Sequence, residues 1–179
     1  GATFMKVLVI SQFFRPDITA AAFRVSETCE QLIELRFDLR VITTNPHRGA
    51  VSVPHKFEAS RSLIRVPIVK YRGGGAIDYG IHYLSFLFSG VIFGALRLRL
   101  WKPDVVWATS PPIFSGLLGV VMKTMYRSAL ILDVRDLWPD AAEAAGQLKQ
   151  SGRLYSLSRL LERAIYRRAD TITCVAKPM

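Results

Sequence analysis

Short apolar runs alternate along the chain with longer segments in which apolar residues recur every three or four positions. The runs have the length and β-branched content of buried parallel strands, and the longer segments have the spacing of amphipathic helices. The predicted strands cover residues 5–10, 39–44, 64–69, 104–108, 129–134 and 171–175. The predicted helices cover residues 20–34, 113–126 and 154–168, and a further apolar segment lies at 78–102.

The alternation of strands and helices predicts an α/β fold of the Rossmann-like, three-layer α/β/α type, with a mostly parallel sheet covered on both faces. Pro67 lies inside the third predicted strand, which favours an edge position for that strand. In open α/β sheets, ligands bind beyond the carboxyl ends of the strands. The segments that could form a site are therefore those that follow the strands, at 11–17, 44–48, 109–112 and 133–140.

The segment after the first strand is bulky and polar, and it lacks the glycine-rich cradle of dinucleotide-binding sites. Its Phe14, Arg15 and Asp17 are candidate ligand contacts, and Arg24 lies one turn into the next helix, whose first residues are small. The free N–H groups at a helix N-terminus favour anions. The alternative is that Thr19 only caps the helix and Arg24 is a solvated charge.

Two later segments also place polar groups at strand ends. Ser110 opens a Ser-Pro-Pro turn, and it either faces the crevice or only completes the turn before the next helix. Arg135, Asp136 and Trp138 belong to the segment DVRDLWPD, directly after a buried strand. Arginine can bind phosphate through two hydrogen bonds, an aspartate can accept a proton from a sugar hydroxyl, and tryptophan offers a flat face to a sugar ring. Asp136 is thus the tentative catalytic residue, and an internal Asp–Arg pair with a core tryptophan is the alternative.

The segment 78–102 has an apolar centre and a basic end. It is either a core helix with a solvated basic end, or a helix in the membrane interface with its basic end on anionic lipid. The net charge of +10 favours the second interpretation. The residues predicted to contact a membrane are Phe86, Phe88, Phe93, Arg97, Arg99 and Trp101.

The composition narrows the class of partner. Half of the 179 residues are hydrophobic and 21% are charged, as in globular domains. The positive charge predicts an anionic partner, and because no nucleic-acid-binding motif is present, we expect a phosphorylated ligand or an acidic membrane and no nucleic acid. Cys29 and Cys174 lack metal-ligand spacing, which predicts two buried thiols, a reducing compartment and no metal site.

Several segments together resemble the N-terminal domain of glycosyltransferase family 4, in particular the fucosamine transferase-like group of bacterial enzymes in colanic-acid, O-antigen and capsule assembly. The Ser-Pro-Pro turn and the DVRDLWP segment are specific as a pair, because each follows a predicted strand. The resembling segments lie in the family's order at 13–24, 39–46, 82–86, 102–119, 133–140 and 160–179.

The resemblance implies one half of a GT-B enzyme, in which two Rossmann-like domains face a common cleft. The first domain binds the acceptor, and the second binds a nucleotide-sugar donor and carries a spaced pair of glutamates. Transfer would retain the anomeric configuration without a metal, and the acceptor would be a polyprenyl-diphosphate-linked sugar at the inner face of the cytoplasmic membrane. Many relatives have His-Asp where this chain has Arg135 and Asp136. Because arginine cannot act as a general base, we expect residue 135 to bind the acceptor rather than transfer a proton.

The expected organisation is a cloning remnant at 1–4 followed by one acceptor-binding domain at 5–179, with the C-terminal donor domain absent. This domain is expected to hold no cofactor, and the nucleotide-sugar donor is expected in the absent domain, so the chain alone should be inactive. Two alternatives stay open: a non-catalytic Rossmann-like module that binds an anionic ligand or a membrane, and one subunit of a split glycosyltransferase.

Overall fold

The computed structural model describes residues 4–46, 49, 62–73, 76–136 and 153–174. Every predicted strand and helix is present in this part of the chain, and three of them have the predicted bounds. The elements are, in order, β1 (Lys6–Ile10), α1 (Ala20–Glu34), β2 (Asp38–Thr44), β3 (Leu63–Val66), α2 (Ala76–Leu98), β4 (Val105–Ser110), α3 (Ile113–Tyr126), β5 (Ala129–Val134), α4 (Arg153–Arg168) and β6 (Thr171–Cys174).

The strands form one six-stranded sheet in the order β3-β2-β1-β4-β5-β6, and all of its pairings are parallel. The prediction of a Rossmann-like α/β fold is therefore confirmed. β3 ends before Pro67 and lies at the sheet edge, where a proline without an N–H breaks no ladder. The strand order reverses direction between β1 and β4, which is the switch point beside which such sheets bind ligands.

Alternate residues of each central strand pack into two cores on opposite faces of the sheet. Leu8 and Ile10 of β1 join the larger core, which α2 and α3 cover. Val7 and Val9 join the smaller core, which includes Cys29 of α1. Successive strand residues therefore point to opposite faces of the sheet, and helices cover both faces. This arrangement gives the predicted three layers.

The two cysteines occupy different environments. Cys29 is fully buried, and burial, followed by the negative charge of Glu30, raises the pKa of its thiol to about 12. Cys174 is exposed on β6, so the prediction that both thiols are buried is wrong for this residue. The reason is that β6 lies at the sheet edge, where all of its residues are exposed.

One side of α2 packs in the larger core and the other side is exposed. Phe86 is fully buried, whereas Phe88 and Ile92 are 63% and 56% exposed. The stretch Gly80–Leu98 has the length and apolar composition of a membrane span, with 33% of it buried. Because α2 is the crossover between β3 and β4 and packs against α3, we interpret it as part of the folded domain.

Two predicted membrane contacts lie in the core instead. Phe86 is enclosed by the larger core, and Trp101 is 7% exposed, with its indole N–H donating to Asp38 Oδ2 at 2.7 Å. The guanidinium of Arg40 lies over the Trp101 ring, 4.8 Å from its centroid. The membrane-contact prediction is therefore wrong for Phe86 and Trp101, and Phe93 is half-buried against the core. The exposed members of the predicted set are Phe88, Arg97 and Arg99.

The contact between α3 and the sheet depends on Gly119. A Cβ at this position would lie 2.8 Å from Cβ of Ala108 and 3.0 Å from Cδ1 of Leu130, whereas a Cβ at Gly80 of α2 would meet nothing within 4 Å. We expect Gly119→Ala to lower the free energy of unfolding by about 1 kcal/mol, because overpacking outweighs the gain in helix propensity. Gly80→Ala should raise it by about 0.5–1 kcal/mol. Urea unfolding measures both changes, and equal effects of the two substitutions would contradict the close approach of α3.

Candidate functional site

The carboxyl ends of the central strands carry a layer of buried polar side chains. The Thr43 and Thr44 hydroxyls donate to the carbonyl oxygen of Gln12 at 3.2 and 2.8 Å, and Thr109 donates to Ser11 Oγ at 3.3 Å. Such groups are stable inside a protein only when they are hydrogen-bonded, so this layer forms an ordered polar floor beneath the crevice. The floor residues, each at most 5% exposed, are Ser11, Gln12, Thr43, Thr44, Thr109, Ser110 and Asp133.

Gln12 and His82 connect this floor to α2. His82 Nδ1 lies 2.7 Å from the carbonyl oxygen of Val69, so this nitrogen is the protonated donor. Nε2 of His82 then accepts from the side-chain amide of Gln12 at 3.0 Å. Gln12 Oε1 is buried and has no hydrogen-bond partner. His82 therefore acts as a neutral link that fixes the Gln12 amide at the end of β1.

The Asp133–Arg135 pair is fixed at the end of β5. Asp133 is 2% exposed and accepts two hydrogen bonds, from Arg135 Nε at 2.7 Å and from Thr173 Oγ1 at 2.8 Å. The backbone N–H of Arg135 donates to the Ser110 carbonyl oxygen at 2.8 Å, which extends the strand pairing by one bond. Among the described residues, no hydrogen bond or ion pair uses the terminal nitrogens of Arg135. The internal Asp–Arg pair is therefore present, and the side chain of Arg135 in it is 27% exposed.

Arg24 lies close to this pair. Burial lowers the pKa of Arg24 first, and the positive charge of Arg135 lowers it further, whereas Asp133 and Asp136 oppose the shift. Nε of Arg24 is buried and has no hydrogen-bond partner among the described residues. α1, capped by Thr19, and the end of β5 thus bring two guanidiniums into one electrostatic cluster with the carboxylates of Asp133 and Asp136.

Asp136 is exposed beside this cluster, next to Arg135 in the chain. Ser110 is 5% exposed at the end of β4, directly opposite Val134 in the sheet. Arg24, Arg135 and Asp136 therefore lie within electrostatic reach of one another, and the Ser110 carbonyl oxygen accepts from the Arg135 N–H, while a role of these residues in binding stays a prediction. We define these four residues, with Asp133 behind them, as the arginine crevice.

The first loop is arranged differently from the prediction. Phe14 is 2% exposed and packs in the smaller core with Val25, which corrects the expectation of a ligand contact. Asp17 is also buried, at 2% exposure. Arg15 forms ion pairs with Glu27 and Glu30 on α1, at 3.6 and 3.8 Å, and so lies along the helix. Trp138 lies outside the described residues.

Three residues of the site were not singled out by sequence reasoning. Gln12 and His82 meet across the fold, and Arg65 donates from β3 to the carbonyl oxygens of Thr44 and Arg15 at 2.9 and 2.8 Å. Gln12 is the second residue after β1, so its position near a strand end was an available signal. The Arg65 and His82 contacts are long-range, and local pattern does not encode them. Within the described residues, no group of three His, Cys, Asp or Glu side chains could hold a metal.

The fold agrees with comparisons to known proteins. The family model described as "Glycosyl transferase 4-like domain" matches residues 19–179. The chain belongs to this glycosyl transferase 4-like family. The match includes every member of the arginine crevice, and it confirms the resemblance inferred from the sequence.

Two similar proteins are longer than this chain. It is 23% identical over 185 aligned positions to the putative colanic acid biosynthesis glycosyl transferase WcaI of Escherichia coli K12, covering 98% of this chain and 45% of WcaI. A crystal structure of UDP-N-acetylglucosamine 2-epimerase superimposes with a TM-score of 0.51 at 16% identity, covering 95% of this chain and 41% of the epimerase. The second likeness supports the fold alone. The chain thus spans less than half the length of either protein.

An anion that bridges Arg24 and Arg135 should stabilise the folded chain. We expect inorganic pyrophosphate at ten times its Kd to add about 1.4 kcal/mol to the free energy of unfolding, measured as a rise in Tm. The double substitution Arg24→Gln with Arg135→Gln should remove this rise. The control is Arg163→Gln with Arg167→Gln, which makes the same charge change on the exposed face of α4. Equal loss of the effect in both variants would contradict a site at the arginine crevice.

Proposed function

We propose that this chain is the N-terminal, acceptor-binding domain of a retaining GT-B glycosyltransferase in bacterial surface polysaccharide assembly. The acceptor is a polyprenyl-diphosphate-linked sugar. A second, C-terminal domain binds the nucleotide-sugar donor and faces the arginine crevice across a cleft. The family match and the likeness to WcaI support glycosyl transfer and polysaccharide synthesis.

The pairing of Arg24 with Arg135 is the observation that carries the acceptor assignment. Burial, followed by the positive charge of Arg135, lowers the pKa of Arg24, so the two guanidiniums lie within electrostatic reach of each other, and a diphosphate supplies two adjacent anionic groups for them. Asp133 holds the Arg135 side chain through Nε, which restricts the orientation of the guanidinium. Prior orientation of this kind reduces the entropy lost on binding.

Asp136 is the group we assign to the acceptor hydroxyl. With the diphosphate on Arg24 and Arg135, the first sugar of the acceptor lies beside the exposed Asp136 carboxylate. That carboxylate accepts the hydroxyl proton as the oxygen attacks the anomeric carbon of the donor sugar. The nucleoside diphosphate leaves from the same face of the donor sugar that the acceptor oxygen attacks, as retention of configuration requires, and it stays bound to the second domain. No step in this domain requires a metal or a cofactor of its own.

The proposed location is the inner face of the cytoplasmic membrane, where a polyprenyl-linked acceptor and a nucleotide-sugar donor meet. The net charge of +10 and the exposed apolar side of α2 support peripheral attachment. The partners are then the donor domain, the lipid-linked acceptor and the anionic membrane surface.

The isolated chain should not transfer or hydrolyse any nucleotide sugar, because the donor site lies in the second domain. Assays with a panel of nucleotide sugars and a polyprenyl-diphosphate-linked sugar measure this directly. The parent reading frame is expected to continue beyond Met179 into a second Rossmann-like domain. Turnover by the chain alone would refute its incompleteness, and a reading frame that ends at Met179 would favour a binding module or a split enzyme.

Arg135 and Asp136 should have separable roles in the two-domain enzyme. Arg135→Gln should raise KM for the lipid-linked acceptor about tenfold or more, because an anion contact is lost. Asp136→Asn should leave that KM within about twofold and lower kcat by roughly 10²–10⁴, the usual contribution of general base catalysis. Steady-state kinetics with varied acceptor measures both. A change in KM alone for Asp136→Asn would remove its catalytic role.

A further inference from the structure

A cationic pocket lies at the edge of the sheet opposite the arginine crevice. Lys6 opens β1 and Arg40 lies early in β2, so both belong to the amino ends of the strands. The pocket has a volume of about 500 Å³, within the usual range of small-ligand sites. Its lining residues are Lys6, Arg40, Leu96, Arg97, Arg99, Leu100 and Trp101.

The pocket has a fixed wall and two exposed cations at its rim. Arg40 donates from Nη1 to the carbonyl oxygen of Arg97 at 2.9 Å and covers the Trp101 ring. Trp101 is itself held by its hydrogen bond to Asp38. The side chains of Arg97 and Arg99 are exposed at the rim. A rigid cation backed by an indole, with two arginines at the rim, is suited to an anionic group.

Two carboxylates lie beside the pocket and offset part of its positive charge. Asp38 Oδ2 accepts from the Trp101 indole, and Asp104 Oδ2 accepts from the backbone N–H of Lys6 at 2.8 Å. The four cations of the lining therefore outnumber the acids beside them.

An exposed apolar stripe on α2 leads to this pocket. Between residues 81 and 96, α2 carries no Asp, Glu, Lys or Arg side chain. Exposed apolar residues recur every three or four positions along one face, from the start of the helix to the pocket rim. The α2 stripe, each member of which is 38–87% exposed, consists of the α2 residues Ile77, Ile81, Leu84, Phe88, Ile92 and Leu96 and of Leu100, two residues beyond the end of the helix.

We propose that the cationic pocket binds the phosphate headgroup of an anionic membrane lipid while the α2 stripe enters the acyl boundary. An exposed apolar face of this length marks a contact with a membrane or a protein, and the adjoining cations favour an anionic bilayer. Leu96 and Leu100 belong to both surfaces, so insertion of the stripe brings the pocket to headgroup level. This proposal deepens the membrane location proposed above and is independent of sugar transfer.

Vesicle co-sedimentation tests the pocket. The chain should bind phosphatidylcholine vesicles containing 30% phosphatidylglycerol at least tenfold more tightly than pure phosphatidylcholine vesicles (about 1 kcal/mol per basic residue near the surface). Arg97→Glu with Arg99→Glu should weaken binding at least about tenfold, since two contacts become repulsive. The control, Arg163→Glu with Arg167→Glu on α4, makes the same charge change and should cost less than about threefold. Equal weakening in both variants, or binding independent of phosphatidylglycerol, would overturn the headgroup pocket.

Three further measurements separate the alternatives. Phe88→Asp should weaken vesicle binding at constant pocket charge, and unchanged binding would exclude insertion of the stripe. Soluble glycerol phosphate that raises Tm through Arg97 and Arg99, without vesicle binding, would make the pocket a site for a free phosphate and overturn the lipid assignment.

Sedimentation measures self-association of the chain. Self-association that Phe88→Asp abolishes, again without vesicle binding, would make the stripe a protein interface and overturn its insertion into a membrane. Circular dichroism checks the fold, and the pyrophosphate effect at the arginine crevice should survive in each variant, which keeps the two sites distinguishable.

Discussion

The parallel pairing of β1 with β4 is the constraint on which the other features depend. It joins the first βαβ unit to the later strands and makes the connections diverge on either side of the sheet centre. Segments that follow β1, β4 and β5 are therefore gathered at one edge, although more than one hundred positions separate Arg24 from Arg135 in the sequence. The polar floor beneath them is stable because hydroxyl groups at the ends of β2 and β4 hydrogen-bond to the segment after β1.

Asp133 orders the polar groups at this edge of the sheet by pairing with Arg135 and Thr173. A carboxylate at 2% exposure is unfavourable unless it is paired, and Arg135 and Thr173 supply both a charge and a hydrogen bond. The same pair fixes the direction of the Arg135 fork, so one interaction serves the fold and orients the cation. Arg24 is then held within electrostatic reach of a second guanidinium, although burial is the main cause of its lowered pKa.

The sequence predicted the bounds of helices and strands better than the burial of individual side chains. The bounds of α1, α3 and β5 follow directly from apolar period and turn residues, and β3 has the edge position that Pro67 indicates. Phe14 was predicted to contact a ligand and Trp101 a membrane, because their neighbours in the sequence are polar or basic. Both rings are buried in the structure. Their burial depends on partners distant in the sequence, such as Asp38 for Trp101, which no local pattern encodes. For the site, strand ends located Arg135, Asp136 and Ser110, but not the Gln12–His82 link that crosses the fold.

The sequence left two alternatives for α2, a core helix and a membrane helix. In the structure one face of the helix packs in the core and the other face is exposed. Nearly every residue from Tyr83 to Leu96 is apolar, so periodicity could not separate the buried face from the exposed one. Only packing assigns Phe86 to the core and Phe88 to the surface. Because α2 begins after the carboxyl end of β3 and returns to the amino end of β4, its exposed face runs from the carboxyl edge of the sheet to the cationic pocket. A helix of this direction, lying on a bilayer, would bring the carboxyl edge of the sheet, where the arginine crevice lies, toward the membrane. A lipid-linked diphosphate could then reach Arg24 and Arg135 while its polyprenyl chain stayed in the bilayer.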